Sequence, residues 1–510
     1  MILRRSIISL LLLFCSFGIF AQHQLGICGN TYEDQMSQIE RYLANKKVAK
    51  TISAQSRNVT TYIPLQFHIA TRNDGSGAVQ FDDLLEQFCH LNNQFSEFDV
   101  GFFQSAPPIV INSDVIFSNH ATTSAQFTMR RERNREALNV WLVDDATPSA
   151  TIEVGIILGY YDPINDWIVM RRNQISPTNN TLAHEIGHFF SLFHPHLGWD
   201  SQPYEMSIHG NPVTATTPGG GSTELVDRSN CETAGDMLCD TPPDYNFALL
   251  WNGCNFTPNI QDPNGDAVDP DESLIMSYFD DDCTSRFTDS QVGMMLADIA
   301  SPSRNFLRIN DYVPLAEVIT ETPRLLAPIG DAVTSTFNKV FLQWEPVTGA
   351  DSYLVEVDRS SSFNIDNFKF ITTSTTFLVD NLLDADRNYR WRVTPLNASY
   401  TCAPPSETVR FRTGLSTSVS DISSIDNWEI RPNLISGNQT IFLSVNAEET
   451  FDATINVYNL SGQLVQSVVN QQFPTGNSTL AIETRGLARG IYLVSLENQQ
   501  GVSNKKLVVQ

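Results

Sequence analysis

The chain has 510 residues, of which 41% are hydrophobic. This is a globular composition in a chain too long for one core, so several domains are expected. Asp and Glu number 57 against 32 Lys and Arg, a formal net charge of −25. Because such a charge repels phosphate backbones and anionic lipid surfaces, the composition argues against nucleic acid as a partner.

Residues 1–21 have the pattern of a secretory signal peptide. Arg4 and Arg5 precede an apolar stretch, and Ala21 is a small residue at which a peptidase could cut. We identify no transmembrane segment for the mature chain in the remaining sequence. The mature chain is therefore expected to be secreted or held at the cell surface, where disulfides are permitted.

Residues 22–58 are polar, with one helix-like patch at 36–43 and no strong core. We interpret them as a pro-segment. Their cysteine, Cys28, offers a thiolate that could ligate a metal. The alternative is an incidental cysteine in a leader. Basic residues provide candidate sites for removal of the segment: Lys47, Lys50 and Arg57.

Residues 59–312 alternate strand and helix patterns, which predicts an α+β domain. The predicted strands cover 62–71, 109–117, 138–143 and 167–170. An amphipathic helix is predicted at 81–95 and a last helix from Ser290 to about Leu307.

The most informative motif is His-Glu-Ile-Gly-His-Phe-Phe-Ser-Leu-Phe-His at 184–194. On a helix, His184 and His188 lie on one face and can share a zinc ion. Glu185 then flanks the open coordination position, where a carboxylate can take a proton from zinc-bound water as general base. His194 can reach the same ion only if the helix ends near Ser191 and the chain turns back. The alternative is a buried helix that carries histidines by chance.

Two all-β sandwich domains are predicted after this region, at 320–414 and 427–510, with a Ser-rich linker at 415–426 between them. The first resembles a fibronectin type III domain through Pro346, Val347, Gly349, Ala350 and Tyr353. The second carries a Ser461-Gly462 turn, Gly486-Leu487 and strand-like runs at 490–494 and 505–509. It resembles the C-terminal sorting domain of the type IX secretion system of Gram-negative bacteria. This resemblance implies outer-membrane secretion machinery as a partner.

The histidine motif, together with segments 274–278 and 283–287, resembles the pappalysin family of metzincin zinc metalloproteases. A Cys, Gly-Asp and Asp-Thr-Pro block of that family also matches, at 231–236 and 240–242. The resemblance covers about residues 59–311. It implies zinc ligands His184, His188 and His194, the general base Glu185, and Tyr278 as the donor that stabilises the oxyanion. Met276 would form the floor beneath the metal.

Further expectations depend on the same resemblance. Ser191 replaces a family glycine at a turn that needs a left-handed conformation, so His196 is retained as an alternative third ligand. Asp281 would select Arg or Lys just after the scissile bond, although an ordinary solvated acidic turn is the alternative. Calcium is implied at Asp236, Asp240 and Thr241. Disulfides are implied between Cys231 and Cys254 and between Cys239 and Cys283, with Cys89 and Cys402 unpaired.

The sequence thus predicts a secreted zinc endopeptidase that hydrolyses proteins or peptides through a zinc-bound water. It would be made as a latent precursor in which Cys28 blocks the zinc. A catalytically silent surface adhesin or glycan-binding protein is the alternative from another class, although an intact Glu185 has no use in such a protein. A zinc hydrolase acting on non-peptide esters or amides also fits the metal ligands.

Overall fold

The computed structural model describes residues 26–51, 60–148, 156–251, 253–308, 318–366, 368–415, 425–436, 439–459, 463–498 and 501–510. The predicted signal peptide, Arg57 and most of the predicted linker lie outside the described residues. Within the described residues, no helix is long and apolar enough to cross a membrane.

The N-terminal unit, described residues 26–308, is built on one mixed sheet. Its strands are β1 Gly26–Cys28, β2 Thr61–Thr71, β3 Val100–Gln104, β4 Ile109–Asn112, β5 Leu138–Val143, β6 Ile156–Asp162 and β7 Trp167–Arg171. Its α-helices are α1 Tyr32–Met36, α2 Ile39–Ala49, α3 Phe81–Ser96, α4 Asp114–Asn119, α5 Thr123–Glu132, α6 Thr181–Phe189, α7 Met206–His209 and α8 Asp289–Ala300.

The sheet order is β1-β6-β7-β5-β2-β3, and β4 also pairs with β2. Strand β6 is antiparallel to β7, and β1 pairs with the outer side of β6 in a parallel register. The central strands are buried on both faces, which explains their continuous apolar sequences. Helix α3 packs on the sheet through Leu84, Phe88, Leu91 and Phe95, spaced for one helix face.

The predicted pro-segment packs more closely against the rest of the N-terminal unit than its polar sequence suggests. Helix α2 packs beside α8, and Tyr42 of α2 is fully buried in the main core, stacked on Phe193 with ring centroids 4.2 Å apart. The Arg41 guanidinium pairs with buried Asp298 of α8, with Nε 2.7 Å from Oδ1. The expectation of a segment without a strong core is wrong, because its apolar residues enter the core of the N-terminal unit.

Two predicted boundaries are corrected. The strand predicted at 109–117 ends at Asn112, because the Ser113 hydroxyl accepts from the Ile116 amide at 3.3 Å and begins helix α4. The last helix ends at Ala300, before Pro302, whose ring cannot continue an α-helix and which instead begins a short 3-10 segment. Strand β6 was not predicted at all.

Two β-sandwiches follow. The first sandwich contains β8 Leu325–Ala327, β9 Lys339–Trp344, β10 Ser352–Asp358, β11 Phe368–Thr372, β12 Thr376–Asp380, β13 Asn388–Leu396 and β14 Val409–Arg412. The second sandwich contains β15 Ile425–Arg431, β16 Leu434–Ile435, β17 Thr440–Ala447, β18 Phe451–Asn459, β19 Leu464–Phe473, β20 Gly476–Glu483, β21 Gly490–Glu497 and β22 Val502–Val509. Each sandwich has two sheets and its own core. The prediction of several domains ending in all-β units is confirmed.

Candidate active site

The three predicted histidine ligands come together at the end of helix α6. His184 and His188 lie one turn apart on the helix, which ends at Phe189. Ser191 then adopts the predicted left-handed conformation, with φ 64°, and the chain turns back. As a result the His194 Nε2 atom lies 3.2 Å from that of His184 and 2.9 Å from that of His188. The helix end near Ser191 is confirmed.

Each histidine is oriented by a contact on its other ring nitrogen. His184 Nδ1 lies 2.7 Å from the Ile275 carbonyl, and His188 Nδ1 lies 2.8 Å from the Leu192 carbonyl. His194 Nδ1 lies 2.6 Å from an Asp200 carboxylate oxygen. These acceptors keep the proton on Nδ1 and direct three Nε2 lone pairs to one point. Burial also lowers the pKa of each ring, to about 4 for His184. Neutral imidazoles converging in this way fit a zinc ion.

His196, the alternative third ligand, does not join this cluster of Nε2 atoms. Its buried ring stacks on His194, with centroids 4.7 Å apart, and meets the Tyr278 ring at 4.5 Å. Its Nδ1 atom faces the Asp244 carboxylate at 3.8 Å. His196 therefore packs behind the third ligand.

Glu185 is fully buried beside the histidines. Among the residues that the structure describes, its Oε1 has no hydrogen-bond partner, and burial raises the pKa of the carboxyl to about 8. Gly159 of β6 lies against it, since a Cβ atom there would be 3.2 Å from Oε1. The carboxylate is thus held between helix α6 and strand β6 with one oxygen unused.

The predicted pro-segment crosses the cleft as an extended strand. Ile27 pairs with Ile157 and Cys28 with Gly159, and the ladder continues as the Asn30 side chain exchanges two hydrogen bonds with the Tyr161 backbone, at 2.7 and 2.8 Å. This places the Cys28 thiol at the three histidines, with all four candidate ligand atoms within 4.8 Å of one another. Cys28 Sγ also lies 3.6 Å from Glu185 Oε2.

A second pro-segment residue, Gln35, contacts the third histidine. The buried Gln35 amide accepts from the His194 backbone N–H at 2.9 Å and donates to Asp200 Oδ1 at 2.8 Å. Neither Gln35 nor Asp200 could be predicted from the sequence, because neither belongs to a motif with recognisable spacing. Both become visible only when helix α1 is placed against the loop after His194.

Met276 and Tyr278 both lie close to the three histidines. Met276 is fully buried, and its sulfur occupies the space beside Gly187, where an added Cβ atom would be only 2.3 Å away. It therefore packs directly beneath the helix that carries two histidines. The Tyr278 ring lies beside His194, with centroids 4.9 Å apart, and its hydroxyl donates to the Cys28 carbonyl at 3.3 Å.

A pocket of about 130 Å³ extends from Glu185 along the start of α6 to Asp281. Asp281 is half-buried, whereas its neighbours Asp280 and Asp282 are exposed. Its Oδ1 accepts from the Asn180 backbone N–H at 2.8 Å, and burial raises its pKa. Among the three neighbouring carboxylates, Asp281 is the one held against the active-site helix.

The predicted calcium residues do not all face one point. Asp236 Oδ1 accepts from the Thr241 hydroxyl at 2.7 Å, while its buried Oδ2 has no partner. Asp240 instead caps helix α8, accepting from the Ser290 amide at 2.8 Å. These contacts hold the Asp240 carboxylate at the start of α8. Glu224 was missed: both its oxygens are buried without partners, and a Cβ on Gly235 would lie 2.1 Å from one of them.

The cysteine pairing also differs from the prediction. The structure pairs Cys231 with Cys239 and Cys254 with Cys283. The expected pairs, Cys231–Cys254 and Cys239–Cys283, are wrong because a tight turn brings the Cα atoms of Cys231 and Cys239 to 5.0 Å. Cys89 and Cys402, expected to be unpaired, form a third disulfide. In the described residues, Cys28 is the free cysteine.

The fold and site define a buried three-histidine centre with a neighbouring carboxylate and a peptide in the cleft, an arrangement suited to a metal-dependent hydrolase. Comparisons with known proteins agree with this class. Residues 430–510 match the secretion system C-terminal sorting domain, so the chain is exported by the type IX system.

Proteins similar to this chain carry protease names. The chain is 25% identical over 286 residues to an extracellular metalloprotease of Colletotrichum graminicola, covering 53% of this chain and 88% of that protein. It is 27% identical over 170 residues to pappalysin-1 of Mus musculus, covering 33% of this chain and 8% of that protein. A solved fn3 domain of the human collagen α-1(XX) chain shares 27% identity over 19% of this chain and 88% of its own length, with a TM-score of 0.15. The chain is thus similar to secreted metalloproteases.

Proposed function

We propose that the protein is a zinc endopeptidase of the metzincin class, similar to pappalysins. The observation that carries this proposal is the extended peptide, residues 26–30, that pairs with edge strand β6 beside the three histidines. A cleft that already binds an extended backbone next to a metal-ligand cluster suits a peptide substrate. Neither an ester hydrolase nor an adhesin has a comparable need for that strand.

Named residues supply the chemistry. Zinc held by His184, His188 and His194 would polarise the peptide carbonyl and increase the acidity of water. Glu185 takes the proton from the attacking water and delivers it to the leaving amine, a role for which its unpaired Oε1 is available. The Tyr278 hydroxyl, once the Cys28 carbonyl has left, donates a hydrogen bond to the oxyanion.

The pocket next to the three histidines suggests which substrate residue is preferred just after the scissile bond. Its carboxylate, Asp281, would attract the side chain of Arg or Lys located just after the scissile bond. Asp281 is half-buried beside two exposed aspartates, which supports Asp281 as the residue that selects Arg or Lys after the scissile bond. A charge-assisted pair in a partly desolvated pocket is stronger than one at the surface.

The same contacts make the precursor latent. Cys28 places its sulfur among the metal ligands, and the pro-segment backbone fills the ladder position beside β6. Tyr278 is engaged by the Cys28 carbonyl, so the oxyanion donor is also blocked. Gln35 adds a second attachment point at His194 and Asp200. Removal of one continuous segment would therefore free the metal, the substrate strand position and the tyrosine together.

Calcium is proposed at a corrected set of residues, Glu224, Asp236 and Thr241. The three unpaired buried oxygens of Glu224 and Asp236 are hard donors, which suit calcium. Two buried carboxylates in proximity are costly to ionise without a cation. A divalent ion there would connect the segment after the third histidine to the segment that leads to Met276.

The decisive experiment is cleavage-site profiling of a complex peptide mixture with the protein freed of residues 1–58. Glu185→Ala at equal zinc content is the comparison. We expect cuts before Arg or Lys that disappear in the variant, since loss of a general base costs roughly 10²- to 10⁴-fold in rate. Equal zinc in both proteins but no cleavage by either would favour a binding protein and contradict the proposed peptidase.

A further inference from the structure

The first sandwich contacts the N-terminal unit at one face of helix α3. Leu85 of α3 packs against Leu354 and Leu396 of the sandwich in a small apolar cluster separate from both cores. Asp82 of α3 forms an ion pair with Lys369 of the sandwich, and both side chains are largely buried. The interface therefore has its own apolar centre and a shielded ion pair.

Hydrogen bonds along the same boundary bring the two backbones together. The Thr401 hydroxyl donates to the Leu85 carbonyl at 2.8 Å. The backbone N–H of Gln104, at the end of β3, donates to the Ala398 carbonyl at 2.9 Å. These bonds fix the loop after β13 against both α3 and the sheet. Non-covalent contacts between domains often allow the domains to move relative to each other, so an additional covalent bond would change the behaviour of this interface.

A covalent bond lies in the middle of this interface. Cys89 of α3 is bonded to Cys402 in the loop after β13, across a sequence separation of 313 residues. Cys402 is the single cysteine after Cys283 in the sequence, so any disulfide between the first sandwich and the N-terminal unit must use it. An exported chain meets the oxidising conditions that allow such a bond to form and persist.

The opposite side of α3 supports the active-site helix. His90 Nε2 lies 2.9 Å from the side-chain oxygen of Asn180, the residue that begins α6. The Gln87 side-chain oxygen accepts a hydrogen bond from the Ser176 backbone N–H at 3.1 Å. Helix α3 therefore lies between the first sandwich on one side and the entry to α6 on the other.

We propose that the first sandwich is a permanent, covalently attached part of the N-terminal unit and stays with the mature protein. A cut anywhere between Arg308 and residue 318 would nick the chain without releasing the sandwich. Processing that removes the second sandwich would leave the first in place. This inference is independent of the proposed protease activity, because it depends only on the α3 interface.

The test uses the full-length chain with a site-specific protease recognition sequence inserted after Arg308. After complete cleavage, denaturing electrophoresis without reductant should show one full-size species, and reductant should resolve it into two fragments. The same insertion in Cys89→Ser/Cys402→Ser should give two fragments without reductant. Two fragments from the unsubstituted cysteine pair in the absence of reductant would overturn the proposal.

A second measurement keeps the test valid if the double-serine variant fails to fold. Non-reducing peptide mapping of the unmodified secreted protein should recover a Cys89 peptide linked to a Cys402 peptide. Recovery of Cys402 as a free thiol, or bonded to another cysteine, would refute the α3 attachment. Mass measurement of the mature protein adds an independent result: the first sandwich must be present whether or not the chain between 308 and 318 is intact.

Discussion

Replacing Gln35 by Ala tests whether the pro-segment recognises the ligand shell as well as the metal. Gln35 makes one hydrogen bond to the Asp200 carboxylate and one with the His194 backbone N–H, both in a buried site. A bond to a charged acceptor contributes about 1.5–3 kcal/mol and a neutral one about 0.5–1.5 kcal/mol. The combined loss is about 2–4.5 kcal/mol, which corresponds to roughly 30- to 2,000-fold weaker binding.

The assay measures binding rather than activity. A peptide covering residues 22–58 is titrated into zinc-loaded protein lacking residues 1–58, and its dissociation constant is obtained by calorimetry. Glu40→Ala is the matched control, because Glu40 is exposed on the same pro-segment. It should leave the constant unchanged. If Gln35→Ala weakens binding no more than this control does, then Gln35 contributes nothing to pro-segment affinity and the reasoning fails.

Three further predictions follow from the site. Cys28→Ala should raise peptide hydrolysis by the uncut chain above that of the parent but below that of the chain freed of residues 1–58, because the metal site would lose its sulfur ligand while residues 26–30 still lie beside β6. A variant as silent as the parent in a fluorogenic peptide assay would argue against thiol latency. Asp281→Asn should lower kcat/KM for substrates with Arg after the scissile bond by roughly 10- to 100-fold, the value of a charge-assisted bond, while exposed Asp280→Asn should not. Calcium at 100 times its dissociation constant should stabilise the protein by about 2.7 kcal/mol at constant zinc, measured by thermal unfolding. Glu224→Gln should reduce this calcium-dependent stabilisation. Asp240→Asn should lower the stability of the protein but leave the calcium-dependent stabilisation unchanged. A calcium response in Glu224→Gln equal to that of the unsubstituted protein would show that calcium binds elsewhere.

Local sequence patterns were sufficient to predict the centre of the candidate site. The histidine spacing required a helix that ends near Ser191, and the structure has this helix and the left-handed Ser191. The buried aromatics Trp344, Tyr389 and Trp391 of the first sandwich were also predictable, because strand alternation places them inward. Such features depend on residues close in sequence, where period and turn chemistry decide the conformation.

Contacts between distant segments could not be predicted in this way. Strand β6 contains the short apolar run Ile156, Ile157 and Leu158, but a run of this length does not define its position in the sheet, which depends on its pairing with β7 and with the distant β1. Cys89 and Cys402 are 313 residues apart, and pairing at that distance depends on how two domains dock. Glu224 belongs to no motif with Asp236, and its proximity to that segment is visible only in the close approach of its carboxylate to Gly235.

The pairing of β1 with β6 also has a consequence for solubility. With β1 in place, the backbone groups of β6 are used on both sides, by β7 and by the pro-segment. Once the segment is removed, residues 156–162 become an open sheet edge, the kind of surface on which chains pair and aggregate. In a chain that still carries residues 26–28, this edge is covered by β1.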